Sequence, residues 1–251
     1  MQTLRGWLFY LWLSVTLIPT ATTVVLLWPF ASARFRYEKV ALVWCRLMVN
    51  SLRVICGVDF RVIGLENIPK NVRGPVVVLS KHQSAWETLF LPLILGNPAG
   101  FVYKKSLHWV PFFGWALKSM RMIAIDRKEG RSAYQVFLER GKAFVKRGWW
   151  VLLFPEGTRT RPGDKETVYK TGGARFALSV GADVIPIALN SGRCWPRNSV
   201  RKIPGTITVS VGPVISTEGK TAHQLTEEVR GWIEAEIERF ESESVDVARA
   251  R

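Results

Sequence analysis

The 251-residue chain has little of what several function classes need. It has three cysteines, Cys45, Cys56 and Cys194, and they are scattered. That excludes a disulfide-stapled scaffold, and no Cys or His spacing resembles a zinc site. A reducing compartment such as the cytoplasm fits this usage. Histidine is equally scarce, with only His82, His108 and His223 to serve imidazole chemistry. No internal repeat or low-complexity stretch is present. Acidic residues are few: 20 Asp and Glu face 35 Lys and Arg, a net charge of +15. An apolar content of 48% excludes a disordered chain. The length gives ample chain for a buried core. The excess of positive charge calls for an anionic partner: nucleic acid, an anionic membrane surface or a phosphorylated substrate.

Charge and apolar residues are unevenly placed. Residues 218–251 hold 9 acids against 5 bases, so the first 217 residues carry 30 bases against 11 acids. The basic surface therefore belongs to the body of the chain. Residues 7–30 contain no charge, and these 24 residues are enough to cross ~30 Å of hydrocarbon as a helix. The stretch is too long for a signal peptide, and no small-residue cleavage site follows it. Pro19, Thr20, Thr22 and Thr23 interrupt its middle, which leaves either one spanning helix or a re-entrant pair. Basic residues follow it: Arg34, Arg36, Lys39, Arg46 and Arg53. By the positive-inside rule that side is cytoplasmic. Residues 37–56 mix apolar and basic positions as an interfacial amphipathic helix does, or as a helix packed on the domain with a solvated face.

Between residues 58 and 215, strand-like and helix-like pieces alternate. Strands are expected at 59–63, 75–80, 100–103, 122–125, 150–154, 184–189 and 206–211. Helices are expected at 85–91, 112–119, 131–147 and 173–180. Several strand candidates are continuous apolar runs, as strands covered on both faces are. The pattern implies an α/β fold, with a central mostly parallel or mixed sheet flanked by helices and an N-terminal membrane-associated helical segment. The chain reads as three regions: an anchoring region at 1–57, an α/β domain at 58–217, and a C-terminal amphipathic helix with an acidic tail at 218–251. Thr221 and Gln224 form a capping-box pattern at the start of that last helix.

One histidine has a catalytic setting. His82 follows the apolar run 76–79, so it lies just past a strand end, where ligand sites of open α/β sheets gather. Glu87 is five residues on. A continuous helix would turn the two side chains ~140° apart, but a loop His82 and a first-turn Glu87 can meet. A carboxylate on one imidazole nitrogen fixes the tautomer and leaves the other nitrogen as a base. Ser84-x-x-Glu87 is also a capping box, in which Glu87 bonds back to backbone N–H. A second piece, Phe154-Pro155-Glu156-Gly157-Thr158-Arg159, follows another apolar run, and Arg159 offers a planar fork for phosphate or carboxylate. The alternative is a polar turn with a solvated arginine. Lys104-Lys105 and Ile125-Asp126-Arg127 place further cations at two more strand ends.

In order and spacing these pieces resemble the glycerophospholipid acyltransferase family, in particular its bacterial 1-acyl-sn-glycerol-3-phosphate acyltransferases. The motifs are His82 to Glu87; the Lys-rich stretch leading to Gly114 and Ile125-Asp126-Arg127; Phe154 to Arg159; and Val184-Ile185-Pro186-Ile187. Lys170-Thr171-Gly172-Gly173 resembles the segment that follows the third motif. Together they cover residues 58–215. The resemblance implies acyl transfer from acyl-CoA or acyl carrier protein to the sn-2 hydroxyl of lysophosphatidate. It implies His82 as base and Glu87 as its partner. Lys105, Arg127, Glu156, Gly157, Thr158 and Arg159 would hold the phosphate and glycerol. No metal or bound cofactor is implied. The expected partners are lysophosphatidate, an acyl donor and membrane lipids, with acyl carrier protein as one possible donor and no nucleic acid. The place of action is the cytoplasmic face of a bacterial inner membrane. One departure is Glu87, where the family usually has Asp. Glu at this position also resembles lipid A secondary acyltransferases, which lack the Phe-Pro-Glu-Gly-Thr-Arg run. Other acceptors therefore stay open: glycerol 3-phosphate, lyso-ornithine lipid or a lipid A precursor. A non-enzymatic basic protein that binds membrane is the remaining alternative.

Overall fold

A computed structural model describes residues 1–70, 74–126 and 130–249. Helices α1 (Gln2–Leu26), α2 (Ala33–Arg36) and α3 (Leu42–Cys56) come first, with a π-helical turn at Tyr37–Ala41. Next come β1 (Val58–Ile63), β2 (Val76–Ser80), α4 (Trp86–Ile94), β3 (Ala99–Lys104), α5 (Phe113–Ser119) and β4 (Ile123–Ile125). Then follow α6 (Arg131–Val145), β5 (Trp150–Leu153), α7 (Gly172–Val180), β6 (Asp183–Leu189), β7 (Gly205–Val211) and α8 (Ala222–Arg249). All seven expected strands form, shifted by no more than a residue or two at their ends. The class is mixed α/β with helix-flanked sheet. Contacts divide the chain into two interleaved units: Met1–Gly57, Thr88–Leu152 and Val200–Lys202 form one, and Val58–Glu87, Leu153–Ser199 and Ile203–Arg251 form the other.

The second unit carries four strands in the order β1-β7-β6-β2. β1 runs parallel to β7, and β2 runs parallel to β6 with Ser80 opposite Ile187. β6 and β7 are antiparallel, so the sheet is mixed. Every residue of β2 is buried, which explains its uninterrupted Val-Val-Val-Leu run. α8 covers this sheet with Leu225, Val229, Ile233, Ile237 and Phe240. Its capping box forms as expected: Thr221 N–H donates to Gln224 Oε1 at 2.9 Å, and Gln224 N–H donates to Thr221 Oγ at 3.2 Å.

The first unit carries β5, β3 and β4, all parallel. Its helices α3 and α5 both pack on α1. α1 is one unbroken helix of 25 residues, although Pro19 lies inside it. The threonines that look like an interruption in sequence do not break it, because their hydroxyls close onto the helix itself. Thr16, Thr20, Thr22 and Thr23 donate to the carbonyls of Trp12, Thr16, Ile18 and Pro19 at 2.8–2.9 Å, and Ser14 does the same to Tyr10. One side of α1 is buried through Gly6, Phe9, Ala21 and Val24. Gly6 is required there, since a Cβ would sit 2.0 Å from the carbonyl oxygen of Val200. Two indoles join α1 to α3: Trp12 donates to Ser51 Oγ at 2.9 Å, and Trp44 donates to Thr16 Oγ at 3.0 Å. The other side of α1 leaves Leu4, Trp7, Leu8, Leu11, Val15 and Ile18 exposed.

Candidate active site

Backbone pairing carries the chain straight into the site. Lys81 N–H still donates to Ile187 carbonyl at 2.9 Å, one residue beyond β2. His82 is the next residue, at the carboxyl end of a buried parallel strand. α4 begins at Trp86, so His82 lies in the loop and Glu87 in the first helical turn, the arrangement that lets them meet. His82 Nδ1 is 3.8 Å from Glu87 Oε2. Nδ1 is buried and among the described residues has no hydrogen-bond partner, while the imidazole as a whole stays 13% exposed. The ring stacks on Phe154 with centroids 3.9 Å apart and planes at 15°.

Glu87 is fully buried and surrounded by donors. Gln83 N–H and Ser84 N–H donate to Oε1 at 2.9 and 2.8 Å, Ser84 Oγ donates to Oε2 at 3.0 Å, and Ser191 Oγ donates to Oε1 at 2.5 Å. The capping bond and the histidine contact therefore coexist: one carboxylate caps α4 and faces the imidazole. Burial pushes its carboxyl up, but His82 and the ring of donors outweigh burial and hold it below the usual carboxylate range. Gly192 N–H donates to Gln83 Oε1 at 3.0 Å, so the short helix after β6 is bonded to the same loop.

The Phe154–Arg159 segment grips His82 by its backbone. Glu156 Oε2 accepts from His82 N–H at 3.0 Å, while Thr160 N–H and Oγ donate to His82 carbonyl at 2.8 and 3.1 Å. Glu156 is 2% exposed. The structure thus places it beneath His82 and not on open surface, and its carboxylate is taken up by Lys81, His82 and Thr160. Gly157 adopts φ +66°, closing the turn with its N–H on Phe154 carbonyl at 2.9 Å. A side chain there would also press on Lys170 Nζ, 3.1 Å from the position of a Cβ. Thr158 is exposed at the tip of the turn. Arg159 follows it, half-buried, with its backbone carbonyl accepting from Arg197 Nη1 at 2.6 Å. Among the described residues the Arg159 guanidinium has no ion-pair partner.

Sequence reading missed a charge cluster under this loop. Lys81 is buried, with Nζ 2.7 Å from Glu234 of α8 and 3.2 Å from Glu156. Tyr169 OH also donates to Glu234 at 2.8 Å. Burial raises the Glu156 carboxyl to about 7 against the pull of Lys81. Glu234 is 153 residues from Lys81 and Ser191 is 104 residues from Glu87, so no local pattern announces either pair. Lys105 lies in the other unit, at the start of a short 3₁₀ helix after β3. Arg127 lies outside the described residues. Among the described residues no three His, Cys, Asp or Glu side chains gather as a metal site requires.

This site geometry can be set beside known proteins. Residues 59–190 match the family model described as acyltransferase, a span that includes His82, Glu87 and the whole Phe154–Arg159 segment. The chain is 40% identical over 235 residues to a 1-acyl-sn-glycerol-3-phosphate acyltransferase of Pseudomonas aeruginosa, covering 92% of this chain and 90% of that one. It is 30% identical over 162 residues to the protein of that name from Borreliella burgdorferi, covering 64% of this chain and 63% of that one. The crystal structure of the 1-acyl-sn-glycerophosphate acyltransferase PlsC from Thermotoga maritima superposes with a TM-score of 0.79 at 20% identity, covering 96% of both chains. A histidine at a parallel strand end, a buried carboxylate facing it and this breadth of likeness lead to one assignment: the chain belongs to the acyltransferase family.

Proposed function

We propose that the chain acylates the sn-2 hydroxyl of 1-acyl-sn-glycerol 3-phosphate to give phosphatidate, using acyl-CoA or acyl carrier protein as donor. The observation that carries this reading is the paired His82 and Glu87, with Nδ1 turned to the carboxylate and the rest of the ring reaching the surface. A neutral hydroxyl is a poor nucleophile. His82 takes its proton as the oxygen attacks the thioester carbonyl, a contribution of about 10²–10⁴-fold. Glu87 holds the reactive tautomer and stabilises the imidazolium that forms. The proton then passes to the departing thiolate, so no acyl-enzyme is needed. Arg159 binds the acceptor phosphate from the tip of the Glu156–Thr158 turn, and Lys105 and Arg127 are the further cations assigned to it. Glu156 acts through His82 by fixing its backbone.

The N-terminal helix supports a membrane setting. It is long and apolar enough to cross a bilayer, with a mean hydropathy of 1.6 over its most apolar stretch. Burial of Gly6 and Phe9 near one end and Ala21 and Val24 near the other ties both ends of α1 to its unit. That favours a helix embedded along one leaflet over a helix threaded across. Exposed Trp7, Trp12 and Trp28 suit the headgroup boundary. The leaflet is assigned as the cytoplasmic one of a bacterial inner membrane, where acyl donor and lysophospholipid meet.

The test is His82→Ala in purified, folded protein, assayed with lysophosphatidate and each donor. Activity near wild type would sink the base assignment. A panel of lysophosphatidate, glycerol 3-phosphate, lyso-ornithine lipid and a lipid A precursor tests the acceptor, and turnover highest on any but the first would overturn it.

A further inference from the structure

Arg36 stands among the basic residues that follow the apolar N-terminal stretch, yet it is only 2% exposed. Its donors are spent on the carbonyls of Ala31 at 3.2 Å, Val24 at 3.2 Å and Ser119 at 3.1 Å, and on the Ser119 hydroxyl at 3.0 Å. Among the described residues no carboxylate pairs with it. Burying an uncompensated cation is costly, and carbonyl dipoles offset only part of that cost. Beside Arg36 lies a cavity of about 380 Å³. Its lining includes Trp28, Arg34, Arg121, Arg147 and Trp149 as well as Arg36, and no acidic residue. Arg34 pairs with Glu38 at 2.8 Å; Arg121 and Arg147 make no ion pair among the described residues.

A second, independent feature is the backbone of Arg121. This residue ends α5 in the left-handed region at φ +61°, where glycine is the usual choice. The local turn is well bonded, with Arg121 N–H on Lys118 carbonyl at 2.9 Å and Met122 N–H on Leu117 carbonyl at 3.0 Å. An L side chain at such a position is strained. The sequence keeps an arginine there all the same, next to three others. Of the four guanidinium groups around this cavity, those of Arg121 and Arg147 offer forks that match phosphate, while Arg36 and the Glu38-paired Arg34 add positive charge, and no acid lines it, so the cavity is a receptor for an anion. Beside it, the turn after α1 exposes Trp28 at 54% and Phe30 at 86%, an apolar rim.

We infer that this cavity is a phosphate site, separate in residues from the candidate active site, that seats the phosphate of a bilayer lipid headgroup. The phosphate chemistry follows from the arginines alone. The choice of a lipid over a soluble phosphate rests on the interfacial reading of α1. Neither depends on catalysis, so the tests below read binding only.

The full-length protein is compared with R121Q/R147Q and with K142Q/K146Q, which removes equal charge outside the cavity lining. Thermal unfolding is followed with and without inorganic phosphate at fixed ionic strength. Co-sedimentation uses phosphatidylcholine vesicles containing either phosphatidate or oleate at equal surface charge. Wild type and K142Q/K146Q should be stabilised by phosphate and should favour phosphatidate vesicles by about tenfold. R121Q/R147Q should lose both responses while melting normally without phosphate. Stabilisation lost without any phosphatidate preference in wild type would overturn the lipid source and leave a soluble phosphate as the ligand. Both responses intact in R121Q/R147Q would overturn the site.

Discussion

Replacing Glu87 by Gln tests the imidazole–carboxylate pair most sharply, because the structure dictates where the new amide goes. At the Oε1 position its NH₂ would face the N–H groups of Gln83 and Ser84, which have nothing to accept with. At the Oε2 position it meets a single backbone N–H, the longer 3.1 Å arm of Ser84, together with Ser84 Oγ, which can turn to accept, and His82 Nδ1 at 3.8 Å. The amide nitrogen therefore takes the second position and donates to Nδ1. That drives the imidazole proton to Nε2 and removes the base. The lost electrostatic support is of similar size: opposite unit charges at 3.8 Å and an effective dielectric of about 20 interact by about 4 kcal/mol, or roughly 10³-fold in rate. We expect E87Q to lose about 10³-fold in kcat, with KM for both substrates little changed and folding retained. The assay is steady-state acyl transfer at neutral pH alongside thermal unfolding. S191A is the control, since it removes one donor to Glu87 without touching His82. It should lower stability by about 1–2 kcal/mol and kcat far less than E87Q does. A kcat for E87Q within about tenfold of wild type, in a folded protein, would refute the role given to Glu87.

Three further outcomes are expected. Arg159→Ala should raise KM for the phosphate-bearing acceptor by about 10–100-fold and leave the donor KM unchanged; a shift confined to the donor would reassign this arginine. Glu234→Gln leaves buried Lys81 with Glu156 as its one remaining ion-pair partner among the described residues, so denaturant unfolding should show a loss of about 2–3 kcal/mol, and unchanged stability would show that Tyr169 and Glu156 suffice. Lys202 is buried, and burial lowers its ammonium from 10.5 to about 8, so between those values the unfolded chain binds a proton that the folded chain has released. Stability from this group therefore rises with pH across that window. Lys202→Met should stabilise the protein by about 1–2 kcal/mol at neutral pH, after allowing for partial solvation, and the gain should shrink from pH 8 to 10.5; a gain constant with pH would contradict this.

The strands β2 and β6 were legible because both faces are covered, and coverage leaves continuous apolar runs; β7 was legible by alternation, with Ile207, Val209 and Val211 between Thr206, Thr208 and Ser210. The His82–Glu87 pair was legible because one strand end and one helix start place both residues locally. Capping and pairing looked like competing explanations of Glu87 in sequence, and geometry shows one carboxylate making both contacts. Ser191, Glu234 and the grip of Glu156 on His82 backbone were not legible, because they depend on which strands and helices become neighbours. The resemblance implies Glu156 as a contact for phosphate and glycerol, and a motif does not reveal that its carboxylate is buried beneath its own loop. In sequence Arg36 is one of the basic residues that follow the apolar stretch, and its burial comes from Val24 and Ser119, far apart in sequence.

The closed hydroxyls of α1 bear on how this helix exchanges between media. Moving an unbonded hydroxyl from water into hydrocarbon costs several kcal/mol. Ser14, Thr16, Thr20, Thr22 and Thr23 already donate to carbonyls one turn back, so no donor is stripped of a partner on transfer. These hydroxyls then add little to the cost of partitioning, and the apolar side chains supply the gain. Its calorimetric mark would be a negative heat-capacity change with little heat from hydrogen bonding. Desorption would break no internal bond of the helix, so the protein can leave one vesicle for another without unfolding this element.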